Sequence, residues 1–148
     1  MDGARIRIIL GAALLLLAAG CASAPKGAYV SPVDGTVTSN YGARKRNFHE
    51  GIDVAAPRGT EVRAVQKGRV IFRGRKKRYG RLVIIDHGNG VESYYAHLSG
   101  FNTREGRRVK RGQKIGRVGK SGRASGHHLH FELRINGRPV NPAGVVPF

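Results

Sequence analysis

The chain has 148 residues and is strongly basic, with 27 Lys and Arg against 9 Asp and Glu and a formal net charge of +18 at pH 7. One cysteine excludes an internal disulfide framework. The length suits one compact domain and is too short for two of ordinary size.

In chain order, Arg5 and Arg7 precede an apolar run over residues 8–19, followed by Gly20-Cys21. About twelve apolar residues fall short of the roughly twenty that span a bilayer. The small residues behind them suit a cleavage site, so residues 1–20 are expected to be an export signal. Leu17-Ala-Ala-Gly-Cys21 resembles a bacterial lipobox, in which the cysteine is lipidated and becomes the mature N-terminus. Ala18 departs from that pattern, standing where leucine is preferred. Cys21 is therefore expected to carry a lipid, and several acyl chains would make the anchor stable where a single chain holds only marginally. Residues 21–30 read as the lipidated cysteine and a short tether rich in proline, glycine and small residues. The eleven residues from Cys21 to Pro32 reach at most about 40 Å.

An exported chain changes the meaning of its charge. Loss of residues 1–20 leaves a formal +17, with the densest basic runs at 73–78 and 104–111. Such runs commonly bind nucleic acid, but export removes that partner. It leaves peptidoglycan stem peptides, anionic lipid head groups and other envelope polymers as the polyanions within reach. Ala22, not Asp, follows the cysteine. In a cell with two membranes this resembles lipoproteins sorted to the outer membrane, facing the periplasm.

Residues 31–148 form the expected single domain, and they read as all-β. Alternating or β-branched runs recur at 61–65, 69–72, 81–86, 91–95 and 128–135, and no helical period persists after Ala19. Gly88-Asn-Gly90 and Asn136-Gly137 are hairpin turn signals among twenty-two glycines.

Four histidines and one aspartate stand out in three stretches of this β chain: His49-Glu-Gly-Ile-Asp53, Tyr94-Tyr-Ala-His97-Leu98 and His128-Leu-His130. A catalytic zinc takes three ligands from His, Asp, Glu or Cys and leaves a fourth position for water; His49, Asp53 and His130 supply such a set. Side chains two apart on a strand share a face, so His128 and His130 both enter one pocket, with Leu129 and Phe131 turned to the opposite layer. His97 and His128 are then left for proton transfer. His87, in a turn-like stretch, and His127, alternating away from His128, read as surface or hydrogen-bonded residues. The helical His-Glu-x-x-His zinc signature is excluded, because Asp53 stands where its second histidine belongs and Pro57 and Gly59 follow closely.

These stretches, with Asn40-Tyr-Gly-Ala-Arg44, Gly112-Gln-Lys-Ile-Gly116, Gly126-His-His-Leu-His-Phe-Glu132 and Asn141-Pro142, resemble the lysostaphin-type or LytM-domain zinc endopeptidases from about Val30 to the end. The resemblance implies a compact antiparallel β fold with a narrow groove and one zinc ion held by His49, Asp53 and His130. It also implies His97 and His128 as the catalytic pair, and peptide bonds of peptidoglycan as the substrate. Asn40, Tyr41, Arg44 and Tyr95 are candidates for substrate contact. Some envelope proteins of this type have lost zinc ligands and bind and activate cell-wall amidases, so an amidase or regulatory partner is the alternative expectation. Here all three ligands and both accessory histidines are present.

Overall fold

The computed structural model describes residues 28–45 and 47–148; the expected signal segment 1–20 and Cys21 lie outside them. Twelve strands follow one another: β1 (Thr36–Ser39), β2 (Gly42–Ala43), β3 (Phe48–His49), β4 (Ile52–Ala55), β5 (Glu61–Arg63) and β6 (Gly68–Lys76), then β7 (Gly80–Gly88), β8 (Val91–Phe101), β9 (Arg108–Val109), β10 (Lys114–Val118), β11 (His128–Ile135) and β12 (Arg138–Val140). One 3₁₀ turn, Pro142–Gly144, ends the described chain's regular structure. The fold is all-β, as the sequence implies.

Ten strands form one antiparallel sheet in the order β1-β4-β11-β8-β7-β6-β9, with β12 on β11 and β10 joining β8 to β5. β2 and β3 pair with each other as a separate ribbon. The two expected hairpins are present. Asn89 and Gly90 both have positive φ between β7 and β8, and Asn136 and Gly137 do so between β11 and β12. That is the conformation that matches the twist of the flanking strands and that Asn-Gly adopts at low cost.

β6 continues beyond the expected 69–72 through the basic run, and β8 continues from 95 to Phe101. Backbone pairing carries them: Arg73, Gly74, Arg75 and Lys76 each face a partner on β7 even though their side chains point largely into water. Alternation in hydropathy marks only the half-buried part of a strand, so the solvated ends escape it.

The main core lies on one face of the sheet and contains Ile52, Val54, Val83, Ile85, Leu98, Leu129, Phe131 and Leu133, all buried. A smaller cluster of Leu82, Ile84 and Ala96, with Phe72, Tyr79 and Tyr94 against it, sits on the other face. β11 serves both faces by its period of two, Leu129, Phe131 and Leu133 toward the main core and His128, His130 and Glu132 away from it. Tyr29 packs on the main core and the Val30 N–H donates to the Val65 carbonyl, so this end of the expected tether is held on the domain.

Tyr95 corrects an expectation. It is fully buried in the main core, 5.4 Å from the Phe131 ring, and its hydroxyl accepts from the Val65 N–H and the Ser93 hydroxyl. It does not line the groove, because it occupies the core face of β8.

Candidate active site

The site begins as a matter of register. On the antiparallel pair β4 and β11, Asp53 stands directly opposite His130, which brings side chains of one face to about 5 Å at Cβ. His49 arrives from the β2–β3 ribbon by a tight passage at Gly51, where any Cβ would meet the Phe131 carbonyl oxygen at 2.2 Å. A side chain at position 51 would lift His49 off the pair. The outcome is three donor atoms within 4.8 Å of one another: His49 Nε2, Asp53 Oδ1 and His130 Nδ1. The separations are 2.7 Å from Asp53 to His130, 3.1 Å from His49 to Asp53 and 3.2 Å between the two rings.

Histidine offers a lone pair from one ring nitrogen only when the other carries the proton, and the outer contacts assign that proton. His49 Nδ1 lies 2.7 Å from the Asn40 carbonyl oxygen, and His130 Nε2 lies 2.9 Å from Glu132 Oε1. Both partners accept, so both nitrogens donate, and His49 Nε2 and His130 Nδ1 are left with lone pairs converging beside Asp53 Oδ1. Two nitrogens and one carboxylate oxygen so arranged suit a divalent ion of the zinc type. Arg44 binds the other carboxylate oxygen, Oδ2, at 3.2 Å and reaches the Ser39 hydroxyl, which turns Oδ1 inward.

His97 and His128 complete the constellation, with ring centroids 4.7 Å apart and His97 5.8 Å from His130. Each is oriented by the same rule. His97 Nδ1 donates to the Ser121 carbonyl at 2.7 Å and His128 Nδ1 to the Gly126 carbonyl at 3.1 Å, leaving both Nε2 atoms as acceptors. His97 owes its direction to a bulge. The β7–β8 register shifts between Val83↔Tyr95 and Arg81↔Leu98, and His97 has φ 61°, a conformation that costs a non-glycine residue energy. Three bonds hold it there: its N–H to the Tyr79 carbonyl, its carbonyl from the Ser121 N–H and its ring to the Ser121 carbonyl. Gly80 and Gly122 permit this, since a Cβ on either would strike the other's backbone nitrogen at 2.5 Å or less.

Burial pushes the His97 pKa down to about 4, against its bond to Ser121, with His128 and His130 adding to the fall. Neutral at pH 7, it is fit to accept a proton. Unfolded, the residue protonates near the ordinary 6.5, so between pH 6.5 and about 4 the unfolded state binds the extra proton and the domain loses stability as pH falls. In NMR titration of metal-free protein the His97 ring is expected to move with a midpoint near 4; a midpoint above about 6 would contradict the assignment to burial. For His130, burial opposes the charged ring, yet its bonds to Asp53 and Glu132 outweigh that and raise the pKa to about 9. A divalent ion held there would take the place of that inner proton.

Sequence reasoning missed Glu132. It is 1% exposed, it accepts from His130 through Oε1 and from Arg134 through Oε2 at 2.8 Å, and the Tyr79 hydroxyl donates to it at 2.9 Å. Arg134 then reaches Glu50 at 2.8 Å. Burial works against the Glu132 carboxylate, but His130 and Arg134 hold its pKa below the usual range. The strand period that joins His128 to His130 extends to Glu132 and was the available signal.

A cavity of about 630 Å³ opens over these groups, walled by Phe48, Arg44, Tyr79 and the 122–125 loop. Arg44 thus reaches it. Asn40 enters through its carbonyl bond to His49. Tyr41 packs edge-on against Phe48 at 5.0 Å with its hydroxyl donating to the Pro139 carbonyl, a supporting role behind the cavity wall. His87 bonds the Lys67 carbonyl and the Ser93 hydroxyl, away from the site, as its sequence context suggests.

Comparison with known proteins identifies the family. The model of "Peptidase family M23" matches residues 47–142. DD-carboxypeptidase/endopeptidase Mpg of Neisseria meningitidis is 58% identical over 98 residues, covering 66% of this chain and 23% of Mpg. Murein hydrolase activator NlpD of Salmonella dublin is 42% identical over 126 residues, covering 84% of this chain and 33% of NlpD. The chain therefore spans about a quarter to a third of the length of these curated relatives. Among solved structures, a zinc-containing peptidase from Vibrio cholerae superposes with a TM-score of 0.74 at 33% identity, covering 78% of this chain and 39% of that one. By its motifs, its fold and this match, the chain belongs to peptidase family M23.

Proposed function

We propose that the chain is a zinc-dependent endopeptidase that hydrolyses peptide bonds in the stem or cross-link peptides of peptidoglycan. The observation that carries this reading is that all four site histidines have one nitrogen tied to an acceptor and the other turned inward. His49, Asp53 and His130 would hold zinc. When bound, zinc supplies Lewis-acid activation of water and of the scissile carbonyl. His97, kept neutral, takes the proton released as water attacks, and His97 or His128 returns a proton to the departing amine. Arg44 and Glu132 keep Asp53 and His130 in place. Residues 1–20 would direct export and Cys21 would carry the lipid, so that the domain works in the envelope, tethered to the outer membrane on its periplasmic side.

A second reading is a non-catalytic regulator that binds and activates cell-wall amidases. The 42% identity to a murein hydrolase activator over most of the chain favours it. Cross-linked peptidoglycan incubated with residues 22–148, with and without chelator, separates the two when the products are identified by mass spectrometry. Zinc-dependent release of soluble muropeptides is expected. Zinc-loaded protein that releases none would favour the regulator.

A further inference from the structure

A second concavity, of about 370 Å³, lies across the 120–127 loop from the catalytic cavity and is lined by Arg58, Arg75, Arg81, Lys120 and His127. We propose that it is an exosite for the free carboxylates of peptidoglycan stem peptides adjoining the one being cut, an inference that rests on the substrate class proposed above.

Charge bookkeeping sets this surface apart from the catalytic one. The catalytic cavity carries Glu50, Asp53 and Glu132 among its arginines, and Arg44 pairs with Asp53. In the second concavity no Asp or Glu contributes to the wall. Among the described residues, none of Arg58, Arg75, Arg81 and Lys120 has a carboxylate partner. Arg75 and Arg81 are also directly opposite each other on β6 and β7, an arrangement of like charges that weakens a strand pair. A multivalent anion seated there would offset that repulsion.

Two observations favour peptidoglycan over a lipid surface. The exposed large apolar residues Val37, Phe48, Ile71, Ile135 and Phe148 all lie outside this concavity, so it has nothing to insert among acyl chains. One loop walls both cavities, with 122–125 on the catalytic side and Lys120, Ser121 and His127 on the other. A polymer that repeats acidic groups along its length and is held at the first cavity passes close to the second.

The test compares three full-length proteins, all carrying Cys21→Ser so that the expected anchor does not contribute: the parent, Arg58→Gln/Arg75→Gln/Lys120→Gln, and Arg104→Gln/Arg107→Gln/Arg108→Gln as a control of equal charge. Binding to purified peptidoglycan is measured by co-sedimentation across a salt series. The exosite triple is expected to bind roughly 10- to 100-fold more weakly, as three lost ion pairs of modest strength imply, and with a shallower salt dependence. The control should bind like the parent, and amidating the peptidoglycan carboxylates should bring the parent down to the exosite triple. Equal weakening in both triples, or a loss confined to vesicles of anionic phospholipid, would overturn the proposal. Binding is read without turnover. Exosite-dependent binding without hydrolysis would sink only the endopeptidase reading, and hydrolysis with no difference among the three proteins would sink only the exosite.

Discussion

Alanine in place of His97 or His128 is expected to slow hydrolysis of cross-linked peptidoglycan by about 10²- to 10⁴-fold while zinc content stays near one per domain. Neither ring belongs to the converging donor triad, and each is anchored from outside it, by the Ser121 and Gly126 carbonyls. Removing either should therefore spare the ion and remove a proton acceptor. The two variants should not be equally stable. His97 is 6% exposed and sits at a strained bulge bound on three sides, so its replacement loses packing and one ring hydrogen bond while the alanine Cβ keeps the cost of φ 61°. Muropeptide release and metal analysis on the same preparations decide the matter; near-parental rates with zinc bound would remove these residues from the mechanism.

Glu132→Gln should weaken zinc binding by about 10- to 100-fold, the usual cost of losing a carboxylate behind a metal-binding histidine. The amide has one oxygen where the carboxylate has two. If that oxygen serves His130 and Tyr79, the amide hydrogens face the Arg134 guanidinium, leaving a half-buried cation against a donor. If it turns to Arg134, the His130 Nε2–H loses its acceptor, and the ring loses the contact that selects its inward lone pair. Chelator competition measures the affinity directly, and metal-free thermal unfolding measures the loss of the ion pair separately. Affinity within about twofold of the parent would show that Glu132 serves stability alone.

The site was legible in the sequence wherever strand period and short spacing governed it. His128 and His130 share a face because they are two apart on β11, and the expected limits of that strand, 128–135, match the structure. Period two fails at His97. On a regular strand Tyr95 and His97 would face one way, which would put Tyr95 beside the groove. The bulge turns His97 to the side of Ala96 and leaves Tyr95 in the main core with Leu98. No local signal in Tyr-Ala-His-Leu announces that turn; it is imposed by the Tyr79 and Ser121 backbones, eighteen residues before it and twenty-four after it. The opposition of Asp53 to His130 was equally hidden, since it depends on pairing two strands far apart in the chain. Arg44 carried a signal of position but not of role, because its partner oxygen on Asp53 is set by the same pairing.

The three donor atoms do not come from one sheet. Asp53 and His130 belong to the ten-stranded sheet, whereas His49 ends a ribbon whose two strands are two residues long and pair only with each other. A cation held by all three would therefore rivet a minor layer onto a major one. Its binding free energy is shared with the ribbon's attachment, and filling the site and seating the ribbon become a single equilibrium. On the proposed reading, ambient zinc would then govern durability as well as turnover. Where the ion is scarce, the ribbon would be the expected first place for a neighbouring protease to enter.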